Sequence, residues 1–396
     1  MQNYEQIADI IQKMKIVAQA MRKKRAVSED IHNIQDTLEE VNSILYHSKR
    51  LKFQKEYCLE DKEEYDEYIN EIEKVVGLWE QTIQRYHGKA VDVEFWKIYE
   101  FFKYVDADAI YQMVVNHYMS LPEALRIEYL SLPYRYTFLQ NELDYSKGDF
   151  SLIKQHVEMM ACNVEKYKWL FEHMADNRSK VILNGIISYW FGFNLNKLYP
   201  LCEMVFQDYY DLDILSCDKN EVLVDIGAFI GDSILDYINT YGEDNYKRIY
   251  AYEITPSTFE KLRKNISGYS NIIALQKGVS DKKGEMYIND TGNGAGNRLL
   301  KNGDIKIDVI TLDEDINEPL SIIKMDIEGA EKDAIRGAKG HIRADKPKLL
   351  ISSYHLPEDI FEIPYLINSI REDYKFFMRF NGHGCLWPCD YVLFAV

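Results

Sequence analysis

Asp326 and Glu328 stand two residues apart where the apolar run Ile322-Ile-Lys-Met325 ends, and His355 closes a second such run, Leu349-Leu-Ile-Ser-Ser-Tyr354. Side chains two apart on an extended chain share a side. Open α/β sheets bind ligands at the carboxyl edge of their strands, so these three groups are expected at one edge. An imidazole with an ordinary pKa of about 6.5 can take a proton near neutral pH. His355 is therefore the expected general base for a bound hydroxyl, with Asp326 and Glu328 orienting it or holding the hydroxyl. A metal-free site is the first expectation. A divalent cation on the carboxylates, acidifying the hydroxyl, is the second.

Other residues have types suited to holding a ligand. Val222-Leu-Val-Asp225 runs into Ile226-Gly-Ala-Phe-Ile-Gly231, and Ile234, Leu235, Ile238 and Tyr241 then mark one face of a helix. Gly227 and Gly231 let the backbone of Ala228 and Phe229 come close to a ligand. The helix start at Asp232 offers N–H groups to a carboxylate. Asp225 is expected to organise an ammonium; it would repel a pyrophosphate. The dinucleotide fingerprint GxGxxG is absent, because Gly227 is followed by Ala-Phe-Ile before Gly231. Glu253 ends the run Arg248–Ile254 and is expected to accept hydrogen bonds from both hydroxyls of a ribose. Gly278, Val279 and Ser280 either border an adenine or only form a turn. An amino-acid end, a ribose and an adenine together describe S-adenosyl-L-methionine, whose methyl group would lie beside Asp326. Lys324, Asn297 and Arg298 are expected to touch the acceptor. The stretch Gly292–Arg298 is either a lid or a plain hairpin loop.

To bring these groups together the chain needs a parallel sheet. Strands are expected at Val222–Asp225, Arg248–Ile254, Ile272–Lys277, Ile305–Thr311, Ile322–Asp326, Leu349–Tyr354, Lys375–Phe380 and Tyr391–Ala395, alternating with amphipathic helices. The last two suit an antiparallel hairpin that closes the sheet. Thr255-Pro256 reads as an N-cap followed by proline at the first helical position, and Phe259, Leu262 and Ile266 give that helix its buried stripe. Before the sheet, Ile7, Ile10, Ile11, Met14 and Val17, and later Ile69, Ile72, Val76 and Trp79, recur at helical spacing. The expected organisation is a helical region over 1–120 serving as cap, substrate-presenting arm or oligomer contact, a helical lead-in over 121–217 with Tyr134–Leu139 as a short strand or loop, and a catalytic domain over 218–396. The fold class is α/β, with an all-α N-terminal region.

Composition narrows the function. Apolar residues make up 46% of 396 and charged ones 28%, the balance of a folded chain. A net charge of −17 opposes non-specific binding to a phosphate backbone, and Arg22-Lys23-Lys24-Arg25 is followed at once by Ser28-Glu29-Asp30. No stretch approaches the roughly 20 apolar residues that cross a bilayer. The start lacks a secretory pattern, so a cytoplasmic location is expected. Cys58, Cys162, Cys202, Cys217, Cys385 and Cys389 are scattered, unlike a disulfide framework. Cys385 and Cys389 alone supply too few ligands for structural zinc.

VDIGAFIGDS, KMDIEGAEKDAIRGA, the ISSYH strand end and EDIFEIPYLINSI leading to YKFFMRF, taken in this order, resemble the FkbM-type methyltransferases. The resemblance spans roughly Leu152 to Val396, with MADNRSKVILNGIISYW similar to that family's helical lead-in, and CLWPCDYVLFAV departing from its usual ending. It implies a Rossmann-like class I methyltransferase sheet and S-adenosyl-L-methionine as donor. It also implies a sugar, glycan-linked or polyketide-like hydroxyl as acceptor, with an amine as the alternative. Two rival readings are a cofactor-binding assembly protein without turnover, its N-terminal helices forming a homo-oligomer, and a nicotinamide-dependent oxidoreductase.

Overall fold

A computed structural model describes residues 89–126, 150–193, 195–289, 297–382 and 389–396. The helical expectations before residue 89, the Tyr134–Leu139 segment, Gly292–Gly296, Cys58 and Cys385 fall outside these residues. The chain divides into two compact units, Met1–Asp106 and Ala107–Val396. In the first, helix α1 (Ala90–Tyr104) buries Phe95, Tyr99 and Phe102, a spacing of four then three that makes one face.

The second unit opens with helices α2 (Ala107–Ser120), α3 (Ser151–His173) and α4 (Asn177–Gly192). The strands β1 (Val222–Ile226), β2 (Arg248–Tyr252), β3 (Ile272–Leu275), β7 (Ile322–Met325), β8 (Lys348–Ser352), β9 (Phe376–Phe380) and β10 (Tyr391–Ala395) then form a seven-stranded sheet in the order β3-β2-β1-β7-β8-β10-β9. β1, β2, β3, β7 and β8 pair in parallel, and β10 is antiparallel to both of its neighbours. This is the expected Rossmann-like sheet closed by a C-terminal hairpin. The order reverses between β1 and β7: the chain leaves β1 toward β2 and β3, then returns to the other side, which opens a crevice at that point. β1, β7 and β10 are buried along their whole length, as strands covered on both faces must be.

One expected strand has a different place. Ile305–Thr311 becomes β6 (Ile305–Ile310) and pairs with β4 (Gly278–Val279) and β5 (Gly284–Ile288) in a separate three-stranded sheet. β4 is too short to read from sequence, and β5 carries only the three-residue apolar run Met286-Tyr-Ile288 after Lys282-Lys283.

The helices after each strand fit their apolar stripes. α5 (Asp232–Tyr241) buries Ile234, Tyr237 and Ile238. α6 (Pro256–Asn265) buries Leu262, and α7 (Glu331–Gly337) buries Ala334 and Ile335. α8 (Lys339–Ala344) and α9 (Asp359–Ile370) follow. The lead-in is fixed to the sheet by one buried cation. Arg379 of β9 donates from Nε to Asp211 Oδ2 at 2.5 Å and from Nη2 to Asp176 Oδ2 at 2.9 Å. Asp176 also caps α4, accepting the Ser179 N–H at 2.6 Å. The clamp therefore sets both the start of α4 and the segment around Asp211. Trp169 of α3 meets Phe376 edge to face, with centroids 5.9 Å apart.

Within α3, His156 is buried, bonded through Nδ1 to Leu152 O at 2.8 Å, and stacked on Trp190 with ring centroids 3.6 Å apart. Burial drives its pKa down from 6.5 to about 4, against smaller opposing effects of the Leu152 carbonyl and Glu358. The unfolded chain thus takes up a proton that the folded one refuses. Stability is full above about pH 6.5 and falls as the pH drops toward 4, by up to about 3 kcal/mol. A His156→Leu variant should show a flatter melting temperature across that window; an unchanged slope would contradict this assignment.

Among the described residues, Cys162 and Cys217 are free thiols. No described helix is long and apolar enough to cross a membrane.

Candidate active site

Parallel pairing puts Asp225 of β1 directly beside Lys324 of β7. Cross-strand neighbours in register point to the same face, so the two opposite charges meet. Lys324 Nζ lies 3.0 Å from Asp225 Oδ1 and donates to Gly227 O at 2.8 Å. The Ser233 hydroxyl of α5 donates to Asp225 Oδ2. Asp225 is 0% and Lys324 3% exposed. Burial works against the charge on Lys324, but Asp225 and Asp326 outweigh it and hold the ammonium above its usual pKa. Lys324 thus holds the loop after β1 through Gly227 O and Asp225. Asp225 likewise reaches that loop through Lys324 and Ser233.

The loop itself follows from its residues. Gly227 takes φ +77°, and a Cβ there would sit 2.0 Å from the Asp326 carbonyl oxygen, so only glycine lets β1 and β7 end this close together. Phe229 at φ +43° and Gly231 at φ +88° complete the turn. Ala228 is buried, Phe229 is partly exposed, and Asp232 is exposed at the first position of α5. No side chain caps the start of α5, leaving N–H groups of its first turn for a ligand.

One strand over, Glu253 is 6% exposed and accepts the Thr255 N–H at 2.7 Å. Burial pushes its carboxyl up, against hydrogen bonds from Thr255 and from the Phe229 backbone. Asn297 donates to Thr255 Oγ1 at 3.2 Å, two residues after Glu253. Gly278 and Val279 go into the small sheet as β4, Ser280 donates its N–H to Ile310 O at 2.9 Å, and Gly278 faces Leu299.

The three residues of the opening argument do meet. His355 Nε2 lies 3.3 Å from Asp326 Oδ1 and 3.7 Å from Glu328 Oε2. Its Nδ1 lies 2.9 Å from Glu331 Oε1, which also accepts the Ile327 N–H at 2.9 Å. Tyr209 donates to Asp326 Oδ2 at 2.8 Å and shares a hydrogen bond with Ser352 at 2.9 Å, turning the other Asp326 oxygen toward the imidazole. Burial alone would lower the pKa of His355, yet Glu331, Glu328 and Asp326 together raise it to about 10. The three carboxylates thus favour the protonated imidazole over the neutral base expected from the sequence. Glu328 sits at φ +57°, a strained conformation for a glutamate, with 24% of its side chain exposed. Burial, helped by Asp326 and Glu331 against His355 and Arg298, raises its pKa. Arg298 is exposed, and its charge is felt at Glu328.

Tyr209 and Glu331 had no role in the sequence reading. Glu331 stands inside the motif KMDIEGAE, five residues after Asp326, and its position at the head of α7 was the available clue. Tyr209 lies in an irregular stretch 117 residues before its partner Asp326, and no local pattern marks it.

Residues 225–379 match the family model described as Methyltransferase FkbM domain, which bears out the resemblance carried by the motifs. Among solved structures, the methyltransferase FkbM from Methylobacillus flagellatus KT is similar at a TM-score of 0.51 and 23% identity, covering 61% of this chain and 62% of that one. This chain therefore spans less than two thirds of the length of that relative, and the likeness is one of fold. An rRNA methylase from Streptococcus thermophilus is similar at a TM-score of 0.30 and 15% identity, over 45% of this chain and 88% of that one. No curated protein matches the chain.

Proposed function

We propose, from the premise that residues 225–379 form a methyltransferase domain of the FkbM type, that this protein moves a methyl group from S-adenosyl-L-methionine to a hydroxyl of a sugar or glycan-linked acceptor. The observation that carries this reading is the meeting, at one sheet edge, of an uncapped helix start with the Asp326–Glu328–His355 cluster. A ligand with an amino-acid end and a ribose fits the donor side. The first turn of α5 would receive its carboxylate, and Glu253 its ribose hydroxyls. Asp225 and Lys324 keep the loop in shape, and Gly278, Val279 and Ser280 would border the adenine.

The donor supplies a methyl group on a positively charged sulfur. The chain's residues supply position and a proton acceptor. Asp326 and Glu328 would hold the acceptor hydroxyl. Glu328, with its raised pKa and partial exposure, takes the proton. The oxygen then forms its bond to the methyl carbon as the carbon–sulfur bond breaks, and sulfur keeps the electron pair. His355, protonated between carboxylates, stabilises the charge of Asp326. Alignment of the kind such a site enforces is worth effective molarities of about 10⁵ M or more.

Replacing Gly227 by alanine tests the donor side. The positive φ costs about 1–3 kcal/mol in a residue with a side chain, and the new Cβ meets backbone. Affinity for S-adenosyl-L-methionine measured by calorimetry should fall roughly ten- to hundredfold; undiminished binding would count against the loop as donor site. For the acceptor, glycans and glycoproteins from cells with and without the gene should differ by one methyl group in mass spectrometry. Identical glycans, with a methyl group missing from a protein amine instead, would overturn the hydroxyl reading.

A further inference from the structure

We infer that Asp326, Glu331 and His355 form a site for one divalent transition-metal cation of the Mn2+ type. One ligand atom from each residue lies within 4.8 Å of the others. Two carboxylates and one imidazole, with the remaining positions open, suit a first-row divalent ion that binds oxygen and nitrogen ligands.

A second observation points to a cation. Glu331 is 0% exposed, and although its Oε1 is engaged, its Oε2 is buried with no hydrogen-bond partner. A buried carboxyl oxygen without a hydrogen-bond partner is costly in the interior, and a bound cation removes that cost. The charges agree, since three carboxylates, Asp326, Glu328 and Glu331, face a single imidazole. The nearby lysines are engaged elsewhere: Lys324 pairs with Asp225, and Lys332 with Glu358 and Asp359 at 3.0 Å each.

The donors also come from rigid places. Asp326 follows β7, Glu331 heads α7 and His355 follows β8, so the site is preorganised by the sheet and the helix packed on it. Binding would displace the proton the imidazole otherwise holds. Resting on the proposed reading, the cation would bind the acceptor hydroxyl and acidify it, leaving Glu328 to take the proton.

Mn2+ titrated into the full-length protein at neutral pH, with free Mn2+ followed by electron paramagnetic resonance, tests this. One Mn2+ per chain should bind, and pulsed spectra should show coupling to one imidazole nitrogen. Glu331→Gln and His355→Gln should each weaken Mn2+ at least about tenfold, while affinity for S-adenosyl-L-methionine stays within about twofold. Absent binding, binding unaltered in folded Glu331→Gln, or bound Mn2+ without nitrogen coupling would overturn the inference. The nitrogen coupling decides on the wild-type protein alone should either variant fail to fold. Donor titration without Mn2+ separates the two claims: donor binding with no Mn2+ site removes only the cation, whereas absent donor binding removes the proposed function.

Discussion

Lys324→Met is expected to destabilise the folded protein by about 3–5 kcal/mol, because it leaves the Asp225 carboxylate buried with its counter-charge gone. The pair lies in register on adjacent central strands, at 3% and 0% exposure, where water cannot replace the ammonium. The same ammonium holds Gly227 O at 2.8 Å, so the loop after β1 should loosen as well. Denaturant unfolding measures the loss. Adding Asp225→Asn to Lys324→Met should recover a large part of it, because the double variant buries no charge there. A single variant within about 1 kcal/mol of wild type would show that the pair matters little to folding.

The second large effect concerns turnover. Glu328→Gln keeps the shape of the side chain at its strained φ of +57° and removes its ability to take a proton. Loss of a general base lowers rates by about 10²–10⁴-fold. With an acceptor in hand, kcat should fall by that much while the donor dissociation constant holds. The wild-type rate should rise with pH as Glu328 loses its proton, at a pKa above the ordinary 4.5 of a glutamate. Full turnover in the glutamine variant would move the base elsewhere on the cluster.

The fold was legible where side-chain pattern and backbone partner agree. Val222–Asp225 reads as a buried strand from its apolar run and becomes β1, and Pro256 marks the start of α6, where Thr255 stands at the N-cap position without a side-chain capping bond. β4 was not legible, since two residues carry no period. Nor was the place of β6, whose partners β4 and β5 are themselves weak signals.

At the site, the types and spacing of Asp326, Glu328 and His355 were enough to bring them together, because strand ends share an edge. Their protonation was not readable. It depends on Glu331, which reaches His355 only once the head of α7 is in place, and that contact raises the pKa of the imidazole. Lys324 was open for a related reason: the sequence does not show that β1 lies in register beside β7, and that register pairs its ammonium with Asp225. Tyr209 depends on the Arg379–Asp211 clamp two residues away, a contact spanning 168 residues.

The most direct test of the account is one calorimetric titration series on the full-length protein with S-adenosyl-L-methionine and with a reduced nicotinamide dinucleotide. The account predicts saturable binding of the first at one site per chain and no binding of the second. Binding of the dinucleotide, with S-adenosyl-L-methionine giving no heat, would contradict it.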